Sequence, residues 1–262
     1  MRLEVRDAGP ADGVPVVLLH GFPQDGACFD AVVPQLHAAG LRTLVPDQRG
    51  YSPGARPWGR WAYRTSELVA DVEALLDDRG LEAAHVVGHD WGGAVAWALG
   101  AWLPERTTSL TVLSTPHPAA MVASMRGEQA LASWYMGAFQ LPALPELVLP
   151  LVLPRLLRSS GLPPAAADRY ARRLGSLGAR RAALDWYRAI PFSRRRIGPV
   201  DVPTTYVWGA QDPALRRPAA ELTAGQVRGP YRFVELGAGH WLPETRPDEV
   251  ADAVLRRVRA SG

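Results

Sequence analysis

The stretch from Val86 to Gly93 constrains the fold of this chain more than any other. A β-branched run passes into Gly-His-Asp-Trp-Gly-Gly at 88–93, and a helical run rich in Ala, Leu and Trp follows. Small residues around Asp90 permit a sharp turn from a strand into a helix, which raises the central side chain above the end of the strand. The same residues also fit a plain glycine-rich turn in which Asp90 only caps the helix. This stretch alone leaves both interpretations open.

Length and composition bound the number of domains and exclude several functions. With 262 residues, of which 47% are hydrophobic and 21% charged, the chain can form one large α/β domain or a core with a small insertion. The net charge is +3 and every basic residue is arginine, but only 194–196 form a cluster, and no stacking aromatics interleave it. We therefore expect no nucleic-acid partner.

Cysteine content and the first residues indicate the compartment. Cys28 is the only cysteine, so an internal disulfide and a cysteine-rich metal site are excluded, and a reducing environment fits. Residues 1–6 alternate charged and apolar side chains and lack the apolar core of a signal peptide. We expect a cytoplasmic location.

The longest apolar tract, residues 141–157, is broken by four prolines and carries Glu146 and Arg155. It is too short and too interrupted to span a bilayer, so we expect no stable membrane insertion. The tract fits a wall of a substrate pocket, plain core packing, a dimer contact or contact with a membrane surface. Both a monomer and a homodimer are compatible with the sequence.

Strand and helix patterns alternate along most of the chain, which predicts an α/β fold with a mostly parallel sheet covered by helices on both faces. Between about 116 and 198 the alternation stops, and the pattern is helical and rich in Arg, Ala, Leu and Pro. We expect an α/β core at 1–115 and 199–262 and a helical cap at 116–198, placed over the carboxyl ends of the strands. The predicted strands are 14–19, 41–45, 84–87, 107–113, 204–208 and 231–236, and the predicted helices of the core are 31–39, 65–79, 91–103, 218–226 and 247–260.

Three polar residues each follow the end of a predicted strand, in the order Asp90, Asp212, His240. Nucleophile, acid and histidine is the chain order of the catalytic triad in hydrolases of this topology. Asp90 can form an alkyl ester, His240 can take a proton from water, and Asp212 can orient the imidazole. Asp201 precedes its strand and Glu235 lies within one, so neither is the expected acid.

Five short motifs are spread along nearly the whole chain. They are His-Gly-Phe-Pro at 20–23, Asp-Gln-Arg-Gly-Tyr-Ser at 47–52, Gly-His-Asp-Trp-Gly-Gly at 88–93, Asp-Pro at 212–213 and Gly-His-Trp at 239–241. On these motifs the chain resembles the α/β-hydrolase superfamily, and within it the epoxide hydrolase branch. The resemblance implies an oxyanion hole formed by the backbone N–H groups of Phe22 and Trp91.

The expected cap contains two Trp-Tyr pairs within segments that resemble those of epoxide hydrolases, residues 132–142 and 184–188. The resemblance assigns to Tyr135 and Tyr187 the hydroxyls that donate hydrogen bonds to the epoxide oxygen as the ring opens. Without it, a Trp-Tyr pair on a helix indicates core packing. The implied reaction is hydrolysis of a small apolar epoxide to a vicinal diol through an ester on Asp90, with no metal or organic cofactor.

Two other functions stay open from the sequence. A haloalkane or haloacid dehalogenase shares the aspartate nucleophile, and Trp91 together with Trp134 or Trp186 could supply the N–H donors for a departing halide. Haloalkane dehalogenases commonly carry asparagine after His-Gly, whereas this chain has Phe22 there and contains no asparagine. The other hypothesis is a catalytically silent binding protein, although ligand binding alone does not require Asp212 and His240.

Overall fold

A computed structural model describes residues 1–125 and 128–261 of the chain. Within these residues seven strands form one sheet: β1 (Glu4–Ala8), β2 (Val14–Leu19), β3 (Leu41–Asp47), β4 (Ala84–His89), β5 (Thr107–Leu113), β6 (Thr204–Gly209) and β7 (Tyr231–Leu236). The order across the sheet is β1-β3-β2-β4-β5-β6-β7. β1 pairs with β3 in antiparallel orientation, and every other pair is parallel. The predicted strands are confirmed, with β3 and β4 each two residues longer and β6 one residue longer than predicted.

Helices cover both faces of the sheet. β3 and β4 lie on opposite sides of β2, so right-handed crossovers place α1 (Val33–Ala38) and α2 (Thr65–Asp78) on opposite faces. α3 (Trp91–Trp102) contacts α2, and α12 (Pro247–Arg259) contacts α1. With helices on both sides, every residue of β4 and β6 is buried, including the polar residues His85, Thr204 and Thr205.

The chain between β5 and β6 is helical, as the sequence predicted. Its helices are α4 (Pro118–Ser124), α5 (Glu128–Ala132), α6 (Trp134–Ala138), α7 (Leu144–Ser159), α8 (Pro164–Arg173) and α9 (Leu177–Arg188). α7 packs on α8 and α9, whereas α4 packs on α10 (Arg217–Leu222), a helix that follows β6. We refer to α4–α9 as the helical segment. Its division from the core at 116 and 198 stays a prediction.

Most of the proline-rich tract forms one helix, α7, in line with the helical pattern predicted for 116–198. α7 runs through Pro150 and Pro154, and each proline leaves a backbone carbonyl one turn earlier without its usual N–H donor. The helix persists because Leu149, Leu153 and Leu157, spaced four residues apart, are buried on one face against α8 and α9. Tertiary packing therefore outweighs the local cost of the prolines.

None of the helices within 1–125 and 128–261 is long and apolar enough to cross a membrane. The last short helix, α11 (Leu242–Thr245), follows β7 and leads into α12. It places residues of the β7 loop beside the carboxyl edge of the sheet, where the candidate site lies.

Candidate active site

Asp90 occupies a strained turn between β4 and α3. Its φ is 49° and its ψ is −119°, a backbone conformation that residues other than glycine rarely adopt. A Cβ added to Gly92 would lie 2.1 Å from the carbonyl oxygen of Leu19, so only glycine permits this close approach. Among the described residues, the Asp90 side chain makes no capping hydrogen bond to α3. The helix-cap interpretation is therefore wrong, and the strained turn is what the structure shows.

The carboxylate of Asp90 sits against bare backbone. A Cβ added to Gly21 would lie 2.3 Å from Cβ of Asp90. Through this gap the backbone N–H of Phe22 donates a hydrogen bond of 2.8 Å to Oδ1 of Asp90. Trp91 is the first residue of α3, where helical N–H groups have no acceptor within the helix. Both backbone groups of the expected oxyanion hole thus flank Asp90.

The structure brings Asp90, Asp212 and His240 together at the carboxyl edge of the sheet. Nδ1 of His240 lies 2.7 Å from Oδ2 of Asp212, and Nε2 of His240 lies 3.6 Å from Oδ2 of Asp90. The other oxygen of Asp212 accepts backbone hydrogen bonds from Ala214 and Leu215, at 2.8 and 3.0 Å. These bonds fix the orientation of Asp212 and, through it, the ring of His240.

Charge at this edge favours an ion pair. Burial lowers the pKa of His240, but Asp212 and Asp90 more than compensate and raise it to about 10. Burial raises the pKa of Asp90, and the hydrogen bond and charge of His240 reverse this, so that it falls below its ordinary value. At neutral pH, Asp90 is therefore an ionised carboxylate beside an imidazolium.

The two candidate tyrosines face this edge from the helical segment. Tyr187 on α9 is buried, Tyr135 on α6 is partly buried, and their ring centroids are 6.0 Å apart. The ring of Tyr187 packs edge-on against Phe22 and Trp91, at 5.4 and 5.0 Å. Burial, together with the negative charge of Asp90, raises the pKa of both phenols. Both hydroxyls therefore stay protonated at neutral pH and can donate hydrogen bonds.

The tryptophans considered as halide donors are placed elsewhere. The Trp134 side chain is 71% exposed on the surface. The indole N–H of Trp186 donates a hydrogen bond of 2.9 Å to the backbone carbonyl of Arg49. Neither is available as the second donor that a halide site beside Trp91 needs.

The two carboxylates that the sequence set aside lie on the surface. Asp201 is exposed near Arg228, and Glu235 pairs with Arg217. At the end of β5, where the chain has no acidic residue, the hydroxyl of Ser114 donates a hydrogen bond of 2.8 Å to the backbone carbonyl of His240. Ser114 thus helps to hold the histidine loop.

A buried hydrogen-bond network behind the triad was missed from the sequence. His89 places one ring nitrogen 2.7 Å from Oε1 of Gln24 and the other 2.8 Å from the carbonyl of His240. Gln24 also accepts from the N–H of Gly21 and donates to Oε1 of Glu244. Three loops are thereby joined behind the site. Gln24 adjoins the motif at 20–23 and His89 lies within the motif at 88–93, so these motifs were the available signal, whereas no motif marked Glu244.

The hydroxyl of Tyr51 was also overlooked. It is buried and has no hydrogen-bond partner within the described residues. Burial, and after it the charge of Asp90, raises the pKa of Tyr51. Its ring contacts His20 and Trp186, at centroid distances of 4.7 and 6.1 Å. A third protonated phenol therefore lies within electrostatic reach of the candidate nucleophile.

Comparison with known proteins decides the family. A family model described as alpha/beta hydrolase fold matches residues 14–247. The chain belongs to the α/β-hydrolase superfamily. Membership confirms the predicted fold class and the prediction of a hydrolase.

Relatives of this hydrolase extend over nearly its whole length. The AB hydrolase superfamily protein YfhM of Bacillus subtilis is 34% identical, with 98% of this chain and 94% of the relative covered. Epoxide hydrolase A of Mycobacterium tuberculosis is 31% identical, over 97% of this chain and 93% of the relative. The crystal structure of epoxide hydrolase A from Mycobacterium thermoresistibile superposes with a TM-score of 0.84 at 28% identity, covering 98% of this chain and 94% of that one. The predicted resemblance to epoxide hydrolases is thereby confirmed.

Proposed function

We propose that this α/β-hydrolase converts an epoxide into a vicinal diol, with Asp90 as the nucleophile. The observation that carries the proposal is the placement of two phenols, Tyr135 and Tyr187, whose ring centroids are 6.0 Å apart, with Tyr187 packed against the Phe22 and Trp91 rings beside Asp90. An esterase needs no such pair of phenols, because the histidine of its triad protonates the leaving group. The names of two full-length relatives, which are epoxide hydrolases, point to the same substrate class.

The first half of the reaction opens the ring. A carboxylate oxygen of Asp90 attacks a ring carbon and forms the ester bond, while the bond from that carbon to the epoxide oxygen breaks. The electron pair of the broken bond stays on the oxygen, which takes a proton from Tyr135 or Tyr187. The product is a hydroxyalkyl ester of Asp90, and one tyrosine is left as the phenolate.

Ester formation changes the protonation of His240. It removes the negative charge of Asp90, one of the groups that raise the pKa of His240 to about 10 in the free enzyme. With this pKa lowered, the imidazolium gives its proton to the phenolate, directly or through water. The tyrosine is restored, and His240 is now neutral and able to act as a base.

The second half of the reaction hydrolyses the ester. His240 takes a proton from water, the hydroxide oxygen bonds to the ester carbonyl carbon, and Asp212 stabilises the imidazolium. The N–H groups of Phe22 and Trp91 hold the oxyanion of the tetrahedral intermediate. When the intermediate collapses, the diol oxygen leaves with the hydroxyl proton of the intermediate. Asp90 returns as a carboxylate beside protonated His240, the state of the free enzyme.

Two substrates test this function. Purified protein is incubated with styrene oxide and, separately, with a bromoalkane, and the release of diol and of bromide is measured. We expect diol from the epoxide at a rate far above the buffer control. Bromide release without diol formation would establish the dehalogenase instead. Binding of the epoxide with no turnover of either compound would point to the silent binding protein.

A further inference from the structure

One face of α7 is apolar and exposed along its first two turns. Leu144, Leu147, Val148 and Leu151 follow the spacing of a single helix face and are all exposed, with Leu147 at 66% and Leu151 at 81%. We call these four residues the apolar stripe. It lies apart from the buried face of α7 that packs on α8 and α9. Contiguous apolar surface of this kind marks an interaction site in many proteins.

Arginines border the apolar stripe. Arg155 and Arg158 continue the same face of α7 toward its end, and both are exposed. Beside the helix, a groove of about 370 Å³ is lined by Pro150 and Pro154 of α7 and by Arg158, Arg172 and Arg180. Three leucines, Ala171 and Asp168 complete its lining, and Asp168 forms an ion pair with Arg158. The helix thus presents hydrocarbon at one end and guanidinium groups at the other end and along one side.

Positive charge is concentrated between β5 and β6, the part of the chain that contains α7. Residues 116–198 contain twelve arginines and four acidic residues, a net charge of +8, whereas the remaining residues, with 17 arginines and 22 acidic residues, carry −5. Two of the four acidic residues, Glu146 and Asp185, are buried. The helical segment itself, residues 118–188, contains nine of these arginines and all four acidic residues, a net charge of +5, so it is positive although the net charge of the whole chain is only +3.

A second copy of the chain is a poor partner for this face. Dimers related by a two-fold axis place the same patch of both subunits in contact. Such a contact through α7 would bring together two helical segments that each carry a net charge of +5, with Arg155 and Arg158 on both contacting helices. Burying like charges against each other is unfavourable. A partner that combines hydrocarbon with negative charge satisfies both parts of the face.

We infer that the apolar stripe and its neighbouring arginines dock on an anionic phospholipid surface. The leucine side chains enter the boundary between headgroups and acyl chains, and the guanidinium groups contact headgroup phosphates. α7 lies in the plane of the surface and does not cross it. This inference is independent of the proposed catalytic function, because binding is measured without turnover.

Vesicle binding tests the inference. The full-length protein is mixed with vesicles of phosphatidylcholine alone and with vesicles that also contain phosphatidylglycerol, and the bound fraction is measured by flotation. We expect binding to the anionic vesicles to be at least about tenfold tighter, because each arginine near an anionic surface contributes to binding. Raising the salt concentration should weaken it, since the charge contribution is screened.

Two double variants locate the contact. Leu147→Gln with Leu151→Gln should reduce binding at least about tenfold by removing exposed hydrocarbon. Arg155→Gln with Arg172→Gln should reduce binding to anionic vesicles by a similar factor and leave weak binding to phosphatidylcholine unchanged. Leu222→Gln on α10 is the matched control, since Leu222 is an exposed leucine outside the helical segment. All replaced side chains are exposed, and unchanged thermal unfolding will verify the fold.

Several outcomes would overturn the inference. Equal binding to both kinds of vesicle would remove the role of the arginines, and unchanged binding by the Leu147 and Leu151 variant would place the contact elsewhere. Absence of vesicle binding, combined with a dimer in light scattering that the same variant dissociates, would make this face an interface between two copies. Absence of both vesicle binding and a dimer would show that the face docks on neither.

Discussion

The carboxyl edge of the sheet and the helical segment above it hold their parts of the candidate site by different means. At the sheet edge, charged groups are fixed by hydrogen bonds, such as the 2.8 Å bond from Phe22 N–H to Asp90 and the 2.7 Å contact between His240 and Asp212. In the helical segment, Tyr135 and Tyr187 are held by ring contacts with Phe139, at centroid distances of 5.7 and 4.9 Å.

This difference suits the two tasks. Charges must be oriented within hydrogen-bond distance, and backbone groups at strand ends do not move to suit a ligand. Phenols that donate to an oxygen atom tolerate more variation, and aromatic packing allows the helical segment to adapt to the substrate. We therefore expect changes at the sheet edge to abolish a chemical step and changes in the helical segment to weaken one.

The sharpest test removes the nucleophile from the sheet edge. Asp90→Ala should lower turnover of styrene oxide by roughly 10⁴-fold or more, because no other step can replace ester formation. Diol production is measured by chromatography. Asp201→Ala serves as the matched control and should retain full activity, since Asp201 is exposed on the surface. Appreciable activity in Asp90→Ala would assign the nucleophile to another residue.

His240→Gln should separate the two halves of the reaction. Asp90 can still form the ester, but water is no longer activated, so turnover should fall by roughly 10³-fold or more. Intact-protein mass spectrometry should then show an increase equal to the mass of the epoxide. The double variant that also carries Asp90→Ala should show none, and an adduct there would mean that another residue is alkylated.

In the helical segment, the tyrosines should share their task. Tyr135→Phe and Tyr187→Phe should each lower the rate of ester formation by roughly 10-fold, and the double variant by about 10²-fold or more. Single-turnover measurement of the ester in a His240→Gln background isolates this step. Tyr51→Phe, measured in the same assay, tests whether the third buried phenol near Asp90 also affects the rate of ester formation. Full activity of the Tyr135 and Tyr187 double variant would remove both from the mechanism.

A glycine-to-alanine substitution in each region compares how tightly the sheet edge and the helical segment are packed, through the free energy of unfolding. Gly92→Ala should lower the free energy of unfolding by at least about 2 kcal/mol, since the new Cβ collides with a backbone carbonyl of β2. Gly137→Ala on α6 meets no atom within 4 Å and should be neutral or raise stability by about 0.5–1 kcal/mol. Denaturant unfolding measures both. Equal effects would contradict the tighter packing of the sheet edge.

The pH dependence of stability should report the ion pair at the sheet edge. The pKa of His240 is raised from 6.5 to about 10, so the pair stabilises the folded state fully below pH 6.5. This contribution, on the order of a few kcal/mol, is lost as the pH rises through about 10. Thermal unfolding of the wild type and of His240→Gln is compared across this range. The variant should show a smaller loss.

Residues at strand ends were predictable because a parallel sheet brings them to one edge. Asp212 and His240 lie far apart in sequence, yet each follows a strand, and that position alone placed them near Asp90. β2 was found from a continuous apolar run, which is typical of a strand covered on both faces. The roles of these residues stay proposals.

Features that depend on tertiary packing were not predictable from local pattern. Of the four prolines in the tract at 141–157, Pro150 and Pro154 lie inside α7, and the packing of its buried leucines, which keeps the chain helical there, is not visible in the local pattern. The partners of Glu244 come from other parts of the chain, and no spacing marks such a network. The resemblance named Tyr135 and Tyr187, but their proximity to Asp90 required the fold.

The position of Glu244 affects how the helical segment can move. Its carboxyl oxygen accepts a hydrogen bond from Gln24 of the core and another, of 2.8 Å, from the hydroxyl of Tyr170 on α8. Lifting α8 would leave this buried carboxyl group with one hydrogen-bond partner fewer, which is costly for a buried polar group. α8 is therefore the anchored side of the helical segment. Any opening that admits substrate should pivot there and be widest near α6, which carries the more exposed of the two tyrosines.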